Sequence, residues 1–168
     1  MLNTHIAAVE AHCAELMATS DTREGRLAQQ LQVLKSVGPV LSWALVTEVF
    51  GWRTFQNRRQ LGALLGLVPV PNQSGESHRE HRITKAGNPQ LRSLLIELAW
   101  MWVRHQPASP LTQWFQRRFA GGSKRVRRIG IVGVARRLVI ELWKYVETGA
   151  LPVGTLTKDD ARPVRRAA

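Results

Sequence analysis

Apolar residues recur along this chain at helical spacing, and cap residues, glycines and prolines punctuate the intervals. Ile6, Val9, Cys13, Leu16 and Met17 repeat every three or four positions and predict an alanine-rich helix over 3–18. Thr19-Ser20-Asp21 interrupts it with three residues able to cap the next helix. From Thr22 to Lys35, Leu27, Leu31 and Leu34 line one face. Residues 1–35 therefore read as an N-terminal helical arm, a hairpin or the end of a coiled coil. Its uncovered leucines predict self-association into a homo-oligomer. The pattern is already running at the first residues, as expected of a chain separated from an upstream part.

Gly38 ends one helix and Pro39 suits the first turn of another. The next helix, about 39–50, is almost wholly apolar, and Gly51 ends it. Asn57 caps a short helix that stops at Gly66. Helix, glycine-containing hairpin and second helix make a helix-hairpin-helix unit, whose amides suit a phosphate; a plain helical corner fits the same pattern. After a long loop, Asn88 caps and Pro89 starts the strongest helix, with Leu91, Leu95, Leu98 and Trp102 on one face, widened by Leu94 and Met101. Ser109-Pro110 opens a short helix bearing Leu111, Trp114 and Phe115. A last helix runs to about Glu147 with Val134, Leu138, Leu142 and Tyr145 inward. Strand alternation never persists, so the expected fold is all-α. Residues 36–149 form the main domain, and 150–168, with Pro152, Arg162, Pro163, Arg165 and Arg166, reads as a flexible basic tail.

Charge narrows the partner. The 168 residues carry a formal net charge of +12, which favours a polyanion, most simply DNA or RNA. A basic ribonucleoprotein component would share the charge. The densest positive region holds Arg117, Arg118, Lys124, Arg125, Arg127 and Arg128 around Gly121-Gly122, with few acids nearby. That is the footprint of backbone contact, where a solvated charged face is the plainer reading. The single cysteine, Cys13, excludes a disulfide framework within the chain. No apolar run reaches the roughly 18 residues of a membrane span, and no signal-peptide core is present, so a cytoplasmic protein is expected.

The chemistry-bearing stretch is the loop after Gly66. Ser74-Gly75 marks an open turn, followed by His78, Arg79, His81, Arg82 and Lys85, with Arg92 in the helix beyond. A hydroxyl beside fixed cations suits work on a phosphate; a serine-turned polar loop is the bland alternative. His78-x-x-His81 lacks further zinc ligands, and the acids are too scattered for a metal cluster, so no metal site is expected in this chain.

In order, these segments resemble the C-terminal half of transposases of the insertion-sequence 110/116/902 group. The joined pattern Gly66-Leu67-Val68-Pro69, Ser74-Gly75 and Ile83-Thr84-Lys85-Ala86-Gly87-Asn88 carries the resemblance, which runs from about Leu34 to Gly149. The resemblance implies that Ser74 is the nucleophile that attacks a DNA phosphodiester and forms a phosphoserine link. It implies a RuvC-like partner domain whose acids hold Mg²⁺, an oligomer on DNA, and a guide RNA. Arg79, Arg82, Lys85 and Arg92 fall where phosphate ligands would be useful, a role read from charge. Two departures stand out. The family's P-G-x-G hairpin is Lys35-Ser36-Val37-Gly38, with Ser36 for the first glycine, which weakens a phosphate-binding role for the Gly38 hairpin. Nothing in residues 1–33 supplies the acidic domain. The expectation is the serine-bearing domain of a DNA transposase, truncated or split from its RuvC-like half; the alternative is a non-catalytic nucleic-acid-binding remnant or regulator.

Overall fold

The computed structural model describes residues 2–19, 21–67, 83 and 86–160. Their regular structure is helical: α1 (Leu2–Thr19), α2 (Arg23–Gln32), α3 (Pro39–Leu45) running into a π turn (Val46–Phe50), α4 (Arg58–Leu64), α5 (Pro89–His105), α6 (Pro110–Phe119) and α7 (Lys124–Thr148). An isolated antiparallel bridge pairs Leu34 with Thr157.

Local chemistry explains most boundaries. Asn57 Oδ1 accepts from the amides of Arg59 and Gln60, and Asn88 Oδ1 from those of Gln90 and Leu91, satisfying donors that a helix start leaves unpaired. Thr22, one residue beyond the expected cap cluster, caps α2 through Gly25 N at 3.2 Å. Pro39, Pro89 and Pro110 each open a helix where the missing N–H does no harm.

α7 is the central element. Ile131, Val134, Ala135, Leu138, Val139, Leu142 and Tyr145 are buried along it, and α2, α4, α5 and α6 pack around it. α5 contributes Leu91, Leu95, Leu98, Ala99 and Trp102, the periodicity expected, while Met101 is solvent-exposed rather than part of that face. Trp102 is fully buried and donates its indole N–H to Ser109 Oγ at 3.0 Å, so the polar end of a large apolar side chain is satisfied.

Two features depart from the sequence reading. α2 is a core helix rather than part of an arm. Leu31 and Leu34 are fully buried against the same chain, so they leave no open face for a second copy. Gln30 Nε2 donates to Tyr145 O at 2.7 Å and Tyr145 OH returns a bond to Gln30 O at 3.0 Å, locking α2 to α7. α1 differs: Ile6, Val9 and Leu16 stay exposed, while Cys13 is packed against the core. The second departure is residues 150–160, which fold back instead of trailing. Lys35 N donates to Leu156 O and Lys158 N to Val33 O. Gln106, fully buried, donates through Nε2 to Leu156 O at 2.9 Å and accepts from Leu156 N at 2.6 Å. Backbone pairing holds the segment, whose few apolar residues show no helical or strand period.

Candidate nucleic-acid interface

The stem of the Ser74 loop is held by two glycines. Gly66 has φ +61° and Gly87 φ +115°, a backbone region costly for residues with a Cβ. A Cβ on Gly66 would run into the Ala86 carbonyl, and one on Gly87 into the Leu64 carbonyl. The chain thus leaves α4 and returns to α5 at backbone contact. Leu67 is buried and Ile83 packs partly against the core. Asn88 then caps α5, and Arg92 sits one turn in, half-buried, with its amide bonded to Asn88 O. Ser74, Arg79, Arg82 and Lys85, with His78 and His81, lie outside the described residues.

The basic cluster is described in full. Arg117 and Arg118 occupy the last turn of α6, and Lys124, Arg125, Arg127 and Arg128 the first turns of α7. All six are exposed, as is the whole of 124–129, so α7 extends beyond the core here. No Asp or Glu lies between Glu97 and Glu141. Ser123 Oγ caps α7 by accepting from Val126 N at 3.4 Å. Cations at a helix N-terminus oppose the macrodipole, at roughly 0.3–1 kcal/mol each. The first turn of α7 has no acid to offset them. The fold therefore concentrates fixed charge and helix-end dipole of the same sign at one exposed point, an arrangement that an external anion relieves.

The Gly38 hairpin is weaker ground. Gly38 is extended, with φ −90°, and has open space where a Cβ would stand, so its glycine is not conformationally required. Two hairpin amides are already committed, Lys35 N to Leu156 O and Val37 N to Leu34 O. The returning segment occupies one of the donors that a phosphate-binding hairpin would offer.

A groove that linear pattern does not reveal lies between α4 and α7, because its walls come from residues about eighty positions apart. It is lined by Arg58, Arg137, Ile140, Glu141, Trp143 and Lys144. Its only advance signal is the alternation of basic and aromatic residues in Trp52-Arg53 through Arg58-Arg59. Among the described residues no three His, Cys, Asp or Glu side chains converge as a metal site. No helix among them is long and apolar enough to cross a membrane.

Comparison with known proteins identifies the family. The family described as Transposase IS116/IS110/IS902 matches residues 28–113, from α2 into α6. The chain is 37% identical over 166 residues to the protein named "Putative transposase y4rJ" of Sinorhizobium fredii, covering 94% of this chain and 42% of that one. It is 32% identical over 105 residues to the "Probable family 20 transposase" of Pseudomonas aeruginosa, covering 61% of this chain and 31% of the relative. It is 35% identical over 91 residues to the transposase for insertion sequence element IS1111A of Coxiella burnetii, covering 54% and 24%. The chain spans less than half the length of these relatives. With its all-helical fold and a family match over more than half its length, the chain belongs to the IS116/IS110/IS902 family of transposases.

Proposed function

We propose that this chain is the DNA-binding, serine-bearing part of a DNA transposase. The observation that carries the binding half is the exposed cluster at the α6–α7 corner: Arg117 and Arg118 end α6, Lys124, Arg125, Arg127 and Arg128 open α7, and no Asp or Glu lies between Glu97 and Glu141 in sequence. Such a surface grips backbone phosphates without reading bases. Reversing Arg125, Arg127 and Arg128 to Glu should weaken duplex binding equally for unrelated sequences and flatten its salt dependence. Titration by fluorescence anisotropy from 50 to 200 mM salt (an assay range in which several phosphate contacts change affinity by orders of magnitude) checks this. Unchanged affinity and slope would sink it.

The catalytic half of the reading is that Ser74 attacks a strand phosphodiester. Its hydroxyl gives its proton to a base, for which His78 and His81 are the nearest candidates in sequence. An Oγ–P bond forms, one P–O ester bond of the strand breaks, and the released sugar hydroxyl takes up a proton. Arg79, Arg82, Lys85 and Arg92 would bind the phosphate oxygens. The donor set of the described residues does not fit Mg²⁺; this reading places the Mg²⁺ carboxylates in a RuvC-like half, and a guide RNA and a second protomer among the partners. With such a half and a cognate DNA junction supplied, a denaturant-resistant protein–DNA adduct should form, persist in Ser77→Ala and vanish in Ser74→Ala. An adduct that survives Ser74→Ala overturns the assignment, and no adduct at all favours the non-catalytic nucleic-acid-binding role.

A further inference from the structure

The groove between α4 and α7 has a volume of about 290 Å³ and is open to solvent. It holds three cations and one acid, and the acid is taken: Lys144 Nζ donates to Glu141 at 2.9 Å. Arg58 and Arg137 have no carboxylate within ion-pairing distance among the described residues. The Arg137 guanidinium lies 4.0 Å from the centroid of the Trp114 ring, and such stacking fixes its plane and leaves its edge donors for another partner. Ile140 and Trp143 give the groove its apolar surface, and Phe55 meets Trp143 edge-on at 6.3 Å. The Trp143 indole N–H is buried and has no acceptor among the protein atoms, a condition native proteins seldom leave uncompensated.

A second aromatic is joined to it through Phe55. Trp52 is 65% exposed, yet its ring is anchored: Nε1 donates to Thr47 O at 2.7 Å inside the π turn, and Arg53 stacks on the ring at 4.1 Å. Trp52 lies three positions before Phe55, so their Cα atoms are at most about 11 Å apart. An exposed indole whose N–H is already satisfied offers the face that Arg53 leaves uncovered. Cations that track a backbone beside aromatic faces that take unpaired bases are the two components of single-strand recognition; a duplex hides the base faces such a surface needs.

We propose that the Arg58–Arg137–Trp143 groove seats the phosphates of single-stranded nucleic acid, with Trp52 stacking on a base of the same strand. The proposal rests on the reading of the chain as a nucleic-acid-binding protein, but on none of the α6–α7 cations that carry that reading. The test is fluorescence anisotropy on the full chain with labelled oligo-dT of twenty nucleotides and a duplex of the same length (probe lengths on the order of one to a few single-strand sites). Arg58→Ala/Arg137→Ala should weaken oligo-dT binding about tenfold or more and lower the slope of log K against log salt by about 1.4, two single-strand phosphates at about 0.7 each. Trp52→Ala should weaken it about tenfold with no change in slope, within the range for one stacked base. Arg137→Lys should keep the slope, which separates lost charge from disturbed packing, and far-UV circular dichroism confirms each variant's fold. The Arg125, Arg127 and Arg128 reversal should spare oligo-dT relative to duplex. Wild-type affinity and slope in the double variant overturns the proposal. Equal loss for both probes overturns its single-strand character, and equal competition by an acidic peptide assigns the groove to another partner. If the groove variants behave as expected while the α7 reversal leaves duplex binding intact, the α6–α7 reading fails and this one stands.

Discussion

Gln106→Ala tests whether residues 150–160 are structural. Gln106 is fully buried and bridges Leu156 through both amide atoms, to O at 2.9 Å and from N at 2.6 Å. Each bond has a net worth of about 1 kcal/mol; Leu156 O keeps its bond from Lys35 N, and the amide of Leu156, left unpaired, adds a desolvation penalty of about 1–3 kcal/mol. Leu156 is only half-buried, so water offsets most of that penalty. One methylene lost from a closed site adds about 0.8 kcal/mol. The sum is roughly 3 kcal/mol. Urea unfolding followed by circular dichroism should show a midpoint lower by about 1.5 M if m is near 2 kcal/mol/M. Trypsin cleavage after Lys158 should accelerate in parallel. A loss below about 1 kcal/mol, with cleavage unchanged, refutes the idea that this clamp holds the segment. Gln106→Glu sharpens the test. Its carboxylate can still accept from Leu156 N but faces Leu156 O with no proton to give, so burial and the carbonyl raise its folded pKa. Below the unfolded carboxyl range the protonated acid restores the donor. As pH rises through the folded value, the native state loses that proton and stability falls.

Two further predictions concern the stem and the α2–α7 lock. Gly87→Ala combines a φ of +115° with a collision at the Leu64 carbonyl and should cost about 3 kcal/mol in urea unfolding, whereas Gly38→Ala, in open space, should stay within about 1 kcal/mol; equal effects contradict the stem geometry. Burial raises the Tyr145 phenol above its ordinary value of 10.0. The native state then keeps this proton longer than the unfolded chain, so its contribution is complete below pH 10 and falls as pH rises beyond it. Lys158, lowered by burial, has the opposite sign below its own ordinary value. The Tyr145 effect is therefore measured as the difference from Tyr145→Phe, whose alkaline loss should be shallower; parallel curves contradict it.

What the sequence made legible follows the range of the interactions. Asn57, Asn88 and the helix-opening prolines act on their nearest neighbours, so their roles could be read in place. The inward faces of α5 and α7 were equally clear, because periodicity names the residues that share a face. Periodicity does not say what covers that face. Leu31 and Leu34 look like an unpartnered stripe, yet their cover is the rest of the chain; Ile6, Val9 and Leu16 show the same pattern and remain exposed. Residues 150–160 escaped notice because backbone atoms and Gln106, fifty positions from Leu156, hold them. The groove escaped for the same reason, since Arg58 and Arg137 meet only in three dimensions. The Ser74 motif was legible as a pattern, but the opposed carbonyl contacts of its two glycines were not.

Those glycines pin two points of the chain against each other. Between Gly66 and Gly87 the chain has twenty residues whose two ends are fixed at nearly the same point. Ser74 stands eight residues from the nearer anchor, so by covalent geometry its hydroxyl cannot leave a sphere of roughly 28 Å about the stem. One hydroxyl in that volume corresponds to an effective concentration on the order of ten millimolar, the scale of a short intramolecular linker. On the proposed catalytic reading, a phosphodiester bound near the stem would meet Ser74 in a first-order step, independent of protein concentration.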